Sequence, residues 1–128
     1  MVRDRKNEEK IKREKTESIL KELIPEAIST LADERIIGIG VINVVCSKGR
    51  NDARVFLDSE AVLPEEKNTV LKQLSKARAI IEEYCASEQG WFRTPKLTFL
   101  FDETYQHERR IEELFKKAKE ELNGINKN

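Results

Sequence analysis

The side chains able to do covalent or acid–base chemistry are few in this chain and stand apart. His107 is the one histidine, and no serine or cysteine nucleophile adjoins it in sequence. General acid–base catalysis needs a positioned partner and a substrate cleft, so His107 alone does not point to an active site. Cys46 and Cys85 are the two thiols. They are too few for a disulfide framework, and without neighbouring histidines they do not make a four-ligand zinc site. Reduced, partly buried thiols are expected, and no metal or cofactor. Glu82 with Glu83, and Glu112 with Glu113, are adjacent carboxylates on helical segments. Neighbours on a helix point in different directions, so such pairs read as solvated faces rather than an acid–base couple. Gly38 and Gly40 lack the rest of a dinucleotide fingerprint and lead into more strand-like sequence. The residues do not describe an enzyme.

The chemistry that the sequence does offer is cationic. Candidate phosphate-binding side chains are Arg3, Arg5, Lys6, Lys10, Lys12 and Arg13 near the start, Lys48 and Arg50 in a polar turn, and Lys76, Arg78 and Arg93 further on. Phosphate contacts need mobile cations on an exposed rim, and termini, turns and the polar faces of helices supply them. The 24 Lys+Arg balance 24 Asp+Glu, so the net formal charge is zero. No global field steers the chain to polyanions, and any nucleic-acid site must be a local patch. Each group also has an ordinary reading. The first is a solvated helical start with acids interleaved, and Lys48 and Arg50 are common turn residues. Trp91 and Phe92 offer faces to an unpaired base, but such a pair beside a strand more often closes the core. Arg93 beside them is the better contact.

These residues need a scaffold, and hydrophobic spacing supplies its outline. Ile19, Leu20, Leu23, Ile24, Ala27, Ile28 and Leu31 recur at helical spacing, with Pro25 expected to kink or split that helix. Residues 36–46 are rich in β-branched side chains and read as a strand, with 47–52 a polar turn into a second strand over 53–57. Pro64 followed by Glu65 and Glu66 marks a helix start. Val70, Leu71, Leu74, Ala77, Ile81, Tyr84 and Cys85 then keep helical period as one long helix, and Gly90 closes it. Leu97, Phe99 and Phe101 alternate as a third strand. Asp102 or Thr104 caps a last helix, whose buried stripe is Ile111, Leu114, Phe115, Ala118 and Leu122 and whose end is Gly124. The order is α+β, with helices gathered on one face of a three-stranded sheet.

At 128 residues the chain fits one domain. The expected division is a charged, partly frayed segment over 1–18, a single domain over 19–123 and a polar tail over 124–128. The start is charged and lacks an apolar signal core, and no stretch approaches the ~20 apolar residues of a membrane span. A cytoplasmic monomer without membrane contact is expected.

Particular residues on this frame resemble the ribosome-binding factor A family. Pro95, Leu97, Thr98, Phe99 and Asp102, followed by Arg110, Ile111 and Leu114, are similar to the family's closing strand and its R-I-x-x-L ending. Val45, Cys46 and Ser47 before the turn, with Ala53, Arg54, Val55 and Phe56 after it, are similar to the family's hairpin. Lys76, Ala77, Arg78 and Ala79 fall where the family carries an Ala-x-Gly kink. The resemblance spans roughly residues 12–118. It implies a type II KH-like domain in the order α-β-β-α-(kink)-α-β-α, with the long helix divided near Ala77, Arg78 and Ala79. Ala79 stands where glycine is usual, which makes the kink shallower. The segment beyond is commonly arginine-rich in the family, and here reads Glu82, Glu83, Ser87 and Glu88. That moves the expected phosphate contacts to the cations named above.

The resemblance further implies a non-catalytic factor that binds the immature 30S ribosomal subunit and 16S rRNA and assists rRNA maturation. The alternative is a protein-interaction module on the same fold, suggested by the neutral charge and by Glu82, Glu83 and Glu88. Salt separates the two, because only polynucleotide binding falls steeply as salt rises.

Overall fold

The computed structural model describes residues 5–125, with side chains except those of residues 5, 104–110 and 123–125. Arg3 therefore lies outside the described residues, as do the side chains of Arg5 and His107. The elements are α1 (Arg5–Ser29), β1 (Val41–Cys46), β2 (Asp52–Leu57), 3-10 turns at Ser59–Ala61 and Pro64–Glu66, α2 (Lys67–Gln89), β3 (Lys96–Phe101) and α3 (Glu103–Ile125).

The sheet order is β1-β2-β3, with β1 antiparallel and β3 parallel to the central β2. The short polar turn enforces the first pairing. The parallel pairing needs a crossover, which α2 provides. One sheet face carries Val44, Cys46, Ala53, Val55, Leu57, Leu97 and Phe99, all buried. Leu20, Ile24, Ala27 and Ile28 of α1, with Val70, Leu74, Ile81 and Cys85 of α2, close over that face. The opposite face is polar at Arg54 and Thr98, both exposed. This is the α+β, KH-like arrangement that the hydrophobic spacing and the resemblance led to.

Helix carboxylates close the two outer strands. Glu17 Oε2 accepts from the Cys46 N–H of β1 at 2.8 Å, and Glu82 Oε2 accepts from the Leu97 N–H of β3 at 3.0 Å. An edge strand offers unpaired donors to any passing chain, and these bonds remove one at each edge. They also fix α1 and α2 along the sheet, which sets where the cationic side chains of α1 fall.

Four details differ from the sequence reading. The first strand begins at Val41 rather than at residue 36. Asp33 O accepts from the Ile36 and Ile37 N–H groups (3.1 and 2.9 Å), and Gly38 takes φ +83, so the chain coils where composition suggested strand. Ile36 and Ile39 are buried from this turn, which uses the same β-branched residues differently. Pro25 lies inside an unbroken α1. It deletes one backbone bond, while Leu23, Ile24, Ala27 and Ile28 on either side remain anchored in the core.

Ala77, Arg78 and Ala79, where the resemblance placed a junction of two helices, lie within the single helix α2. Neither glycine nor proline occurs between Lys67 and Gln89, and alanine is the strongest helix former. Gly90, at φ +67, ends the helix by donating its N–H to the last-turn carbonyls of Ala86 and Ser87.

The fourth difference is α3. Ile111, Leu114, Phe115 and Leu122, expected to be buried, are 40%, 66%, 73% and 60% exposed, and the helix continues through Gly124 to Ile125. It joins the domain at its first turn, where Lys67 Nζ lies 3.1 Å from Glu103 Oε1. Exposed ion pairs contribute roughly 0–1 kcal/mol. A chain ending at Asp102 is therefore expected to unfold cooperatively within about 5 °C of the full chain, measured by circular dichroism melting. A drop of 15 °C would mean that α3 packs on the core.

Candidate RNA-binding surface

The hairpin tip is built by its own backbone. Arg50 N–H donates to Ser47 O at 2.9 Å, Ser47 N–H donates to Asp52 O at 2.8 Å, and Asp52 N–H donates to Ser47 Oγ at 3.1 Å. Closing this turn puts Arg50 at φ +57, a left-handed conformation that residues with a Cβ adopt reluctantly. Lys48 and Arg50 both project from the tip, exposed.

Asn51 ties this tip to the segment between α2 and β3. Its backbone O accepts from the Lys96 N–H at 2.9 Å, and its Oδ1 accepts from Arg93 Nη2 at 3.3 Å. Thr94 Oγ1 donates to Glu82 O at 2.6 Å, holding the segment against α2. Within it, Trp91 packs partly against the core while Phe92 is fully exposed. The expectation that both close the core thus holds for Trp91 and is corrected for Phe92, because adjacent residues of a bend turn to opposite sides.

From the third side comes α1. Thr16 lines a cleft of about 280 Å³ with Arg50, Phe92 and Arg93. Arg13, one turn earlier, and Arg50 both act electrostatically on the Cys46 thiol and favour its ionised form. Arg13, Lys48, Arg50 and Arg93 therefore gather at one end of the sheet. Lys96, exposed in a larger cleft of about 560 Å³ with Asn51 and Arg93, joins them. The sequence reading missed Lys96, although its place at the first position of an edge strand, on the polar side of the alternation, was a usable signal.

The remaining candidates lie elsewhere. Lys6, Lys10 and Lys12 occupy the first turns of α1, and the helical rise carries Lys6 roughly 10 Å from Arg13 along the axis. Lys76 is exposed on α2. Arg78 faces its own helix neighbour, with Nε 3.9 Å from Glu82 Oε2.

Neither thiol belongs to the clefts. Burial pushes both Cys46 and Cys85 up to about 11, and the Glu17 and Glu82 carboxylates add to this at Cys46 and Cys85 respectively. A thiol held protonated is a poor nucleophile. Alkylating reagents at pH 8 are expected to label neither cysteine in the folded protein and both in denaturant, as mass spectrometry would show. The unfolded thiols ionise near 9.0, before the folded ones. Between about pH 9 and 11 the unfolded state therefore holds fewer protons, and stability falls as pH rises, having been fully present below that window. Rapid native labelling at pH 8 would contradict this account. Among the described residues no cluster of metal-ligating side chains is present, and no helix is long and apolar enough to cross a membrane.

Comparison with known proteins agrees with this arrangement. The family model for ribosome-binding factor A matches residues 12–115. Ribosome-binding factor A of Wolinella succinogenes is 44% identical over 114 residues, covering 89% of this chain and 96% of that protein. The Campylobacter jejuni protein of the same name is 44% identical over 117 residues, covering 91% and 98%. Among solved structures, the crystal structure of ribosome-binding factor A from Thermus thermophilus aligns with TM-score 0.60 and 27% identity, covering 69% of this chain and 93% of that one. A homology model of the Thermus thermophilus protein, fitted into a cryo-EM map of its 30S complex, aligns with TM-score 0.54 and 26% identity, covering 65% and 87%. The extent of these matches, end to end across the sheet and both packed helices, shows that the chain belongs to the ribosome-binding factor A family.

Proposed function

We propose that this protein binds the immature small ribosomal subunit through 16S rRNA and assists maturation of that RNA without catalysing a reaction. The observation that carries this reading is the convergence of Arg13, Lys48, Arg50, Arg93 and Lys96 at one end of the sheet in a chain with no net charge. A neutral protein with a local cationic rim meets phosphates there and stays weakly attracted elsewhere. The relative fitted into a 30S complex supports the choice of partner. Glu17 and Glu82, the carboxylates that reach the sheet edges, each commit one oxygen to a backbone N–H.

Mechanistically, cations on a rigid sheet end position the protein on folded RNA, and shape recognition holds the RNA helices in one arrangement while assembly proceeds. No cofactor or energy source enters this mechanism. The protein would act as a cytoplasmic monomer, with residues 19–123 as the working domain.

Sedimentation of the tagged protein through gradients of cell extract tests the proposal. It is expected with small-subunit and precursor fractions at low salt, and to leave them as salt rises. The alternative, docking on a protein partner, draws on the exposed Leu114, Phe115 and Leu122 of α3. It expects co-sedimentation that persists at high salt.

A further inference from the structure

Phe92 has no structural employment that accounts for it. Its side chain is 103% exposed, whereas its neighbour Trp91 packs against the core. Together with Arg93 it forms a ridge between two clefts of unlike character. On one side the cleft of about 280 Å³ holds Arg50 and Gly49. On the other, the cleft of about 560 Å³ is lined by the acidic Asp52, Glu82 and Glu83 together with Arg93 and Lys96. A phosphate fits the first side, whereas the second sets three acidic residues beside its two cations. A base suits the second side, because carboxylates accept from the amino groups on base edges, as they do from cytosine N4.

We propose that Phe92 stacks on an unpaired rRNA base, which enters the carboxylate-lined cleft while its flanking phosphates lie on Arg50 and Arg93. This deepens the RNA-binding reading above and rests on it. Every base has a flat face, so an exposed phenyl ring can capture any splayed nucleotide. The carboxylates then favour bases that carry amino donors. The larger cleft is within the size range that small planar ligands fill. A folded RNA presents such bases in loops and bulges, where sequence-specific recognition concentrates. The site adds recognition of a local unpaired nucleotide to the sequence-blind phosphate contacts beside it.

The test compares wild-type, Phe92→Ala and Phe92→Tyr proteins for equilibrium binding to two targets: immature small subunits, and protein-free 16S rRNA refolded in magnesium. Phe92→Ala is expected to weaken binding to both on the order of tenfold or more, since one base–aromatic stack is lost. Phe92→Tyr is expected to restore it. The dependence on salt stays unchanged, because no charge is altered. Melting temperatures of all three should coincide, given the exposure of the side chain. Wild-type affinity in Phe92→Ala, with binding still sensitive to the arginines, overturns the base-stacking site and leaves phosphate contact standing. Weakening on particles but not on bare rRNA also overturns it, in favour of a ribosomal-protein contact at Phe92. Wild-type protein that binds neither target overturns the RNA-binding reading itself.

Discussion

Replacing Arg50 with glycine and Arg93 with alanine together is expected to lower affinity for immature small subunits on the order of 100-fold or more while leaving the fold as stable as before. Charge-assisted hydrogen bonds contribute roughly 1.5–3 kcal/mol each, so two lost phosphate contacts account for that magnitude. Stability is spared for separate reasons at the two positions. Arg50 sits at φ +57, where a residue with a Cβ is strained by about 1 kcal/mol or more, and glycine relaxes it. Glycine also loosens the unfolded chain, and the two effects largely offset each other. Arg93 is exposed and makes one long bond to Asn51, so its truncation costs little. Equilibrium binding and thermal melting of the same preparation check both halves. Unchanged affinity would remove the hairpin tip from the interface. A marked fall in melting temperature would show that Arg50 has a structural role.

The second large effect concerns the platform itself. Leu74→Ala is expected to cost about 2–5 kcal/mol, a large share of the 5–15 kcal/mol that stabilises a typical domain. Leu74 is fully buried where α2 crosses the sheet, and the structure around a core leucine relaxes only partly into the space left. Ile80 on the same helix is 57% exposed. Its replacement by alanine is expected to stay within about 0.5 kcal/mol. Denaturant unfolding of the pair measures the contrast directly. Equal losses at both positions would place α2 differently on the sheet.

The same helix shows what was legible in the sequence. Val70, Leu74, Ile81 and Cys85 mark its buried face by spacing alone, and that spacing runs through Ala77 and Ala79 without a break. The hairpin was legible because a short polar turn between two β-rich runs leaves few other arrangements. The Pro95 to Asp102 segment was legible both as an alternating strand and as the family's closing motif.

What was not legible has physical causes. Ile36 and Ile39 are buried from a turn, and β-branched composition cannot distinguish that from a strand. The stripe on α3 is regular, but periodicity reports an apolar face and not what covers it. Trp91 and Phe92 are alike in composition, and only the local backbone decides which one turns inward. The gathering of Arg13 with Arg50 and Arg93 depends on how α1 lies along β1, a long-range packing fact that no local pattern encodes. All of the cations at the sheet end except Lys96 were named from sequence, while their convergence came from the fold.

The most direct measurement is the affinity of the purified protein for immature small subunits across a range of potassium chloride concentrations. Counterion release gives about 0.7–0.9 in slope for each phosphate met. Five cations at the sheet end therefore predict a logarithmic plot with a slope of about −4. A flat plot, with binding that outlasts high salt, would contradict a cationic RNA contact and point to an apolar docking surface instead.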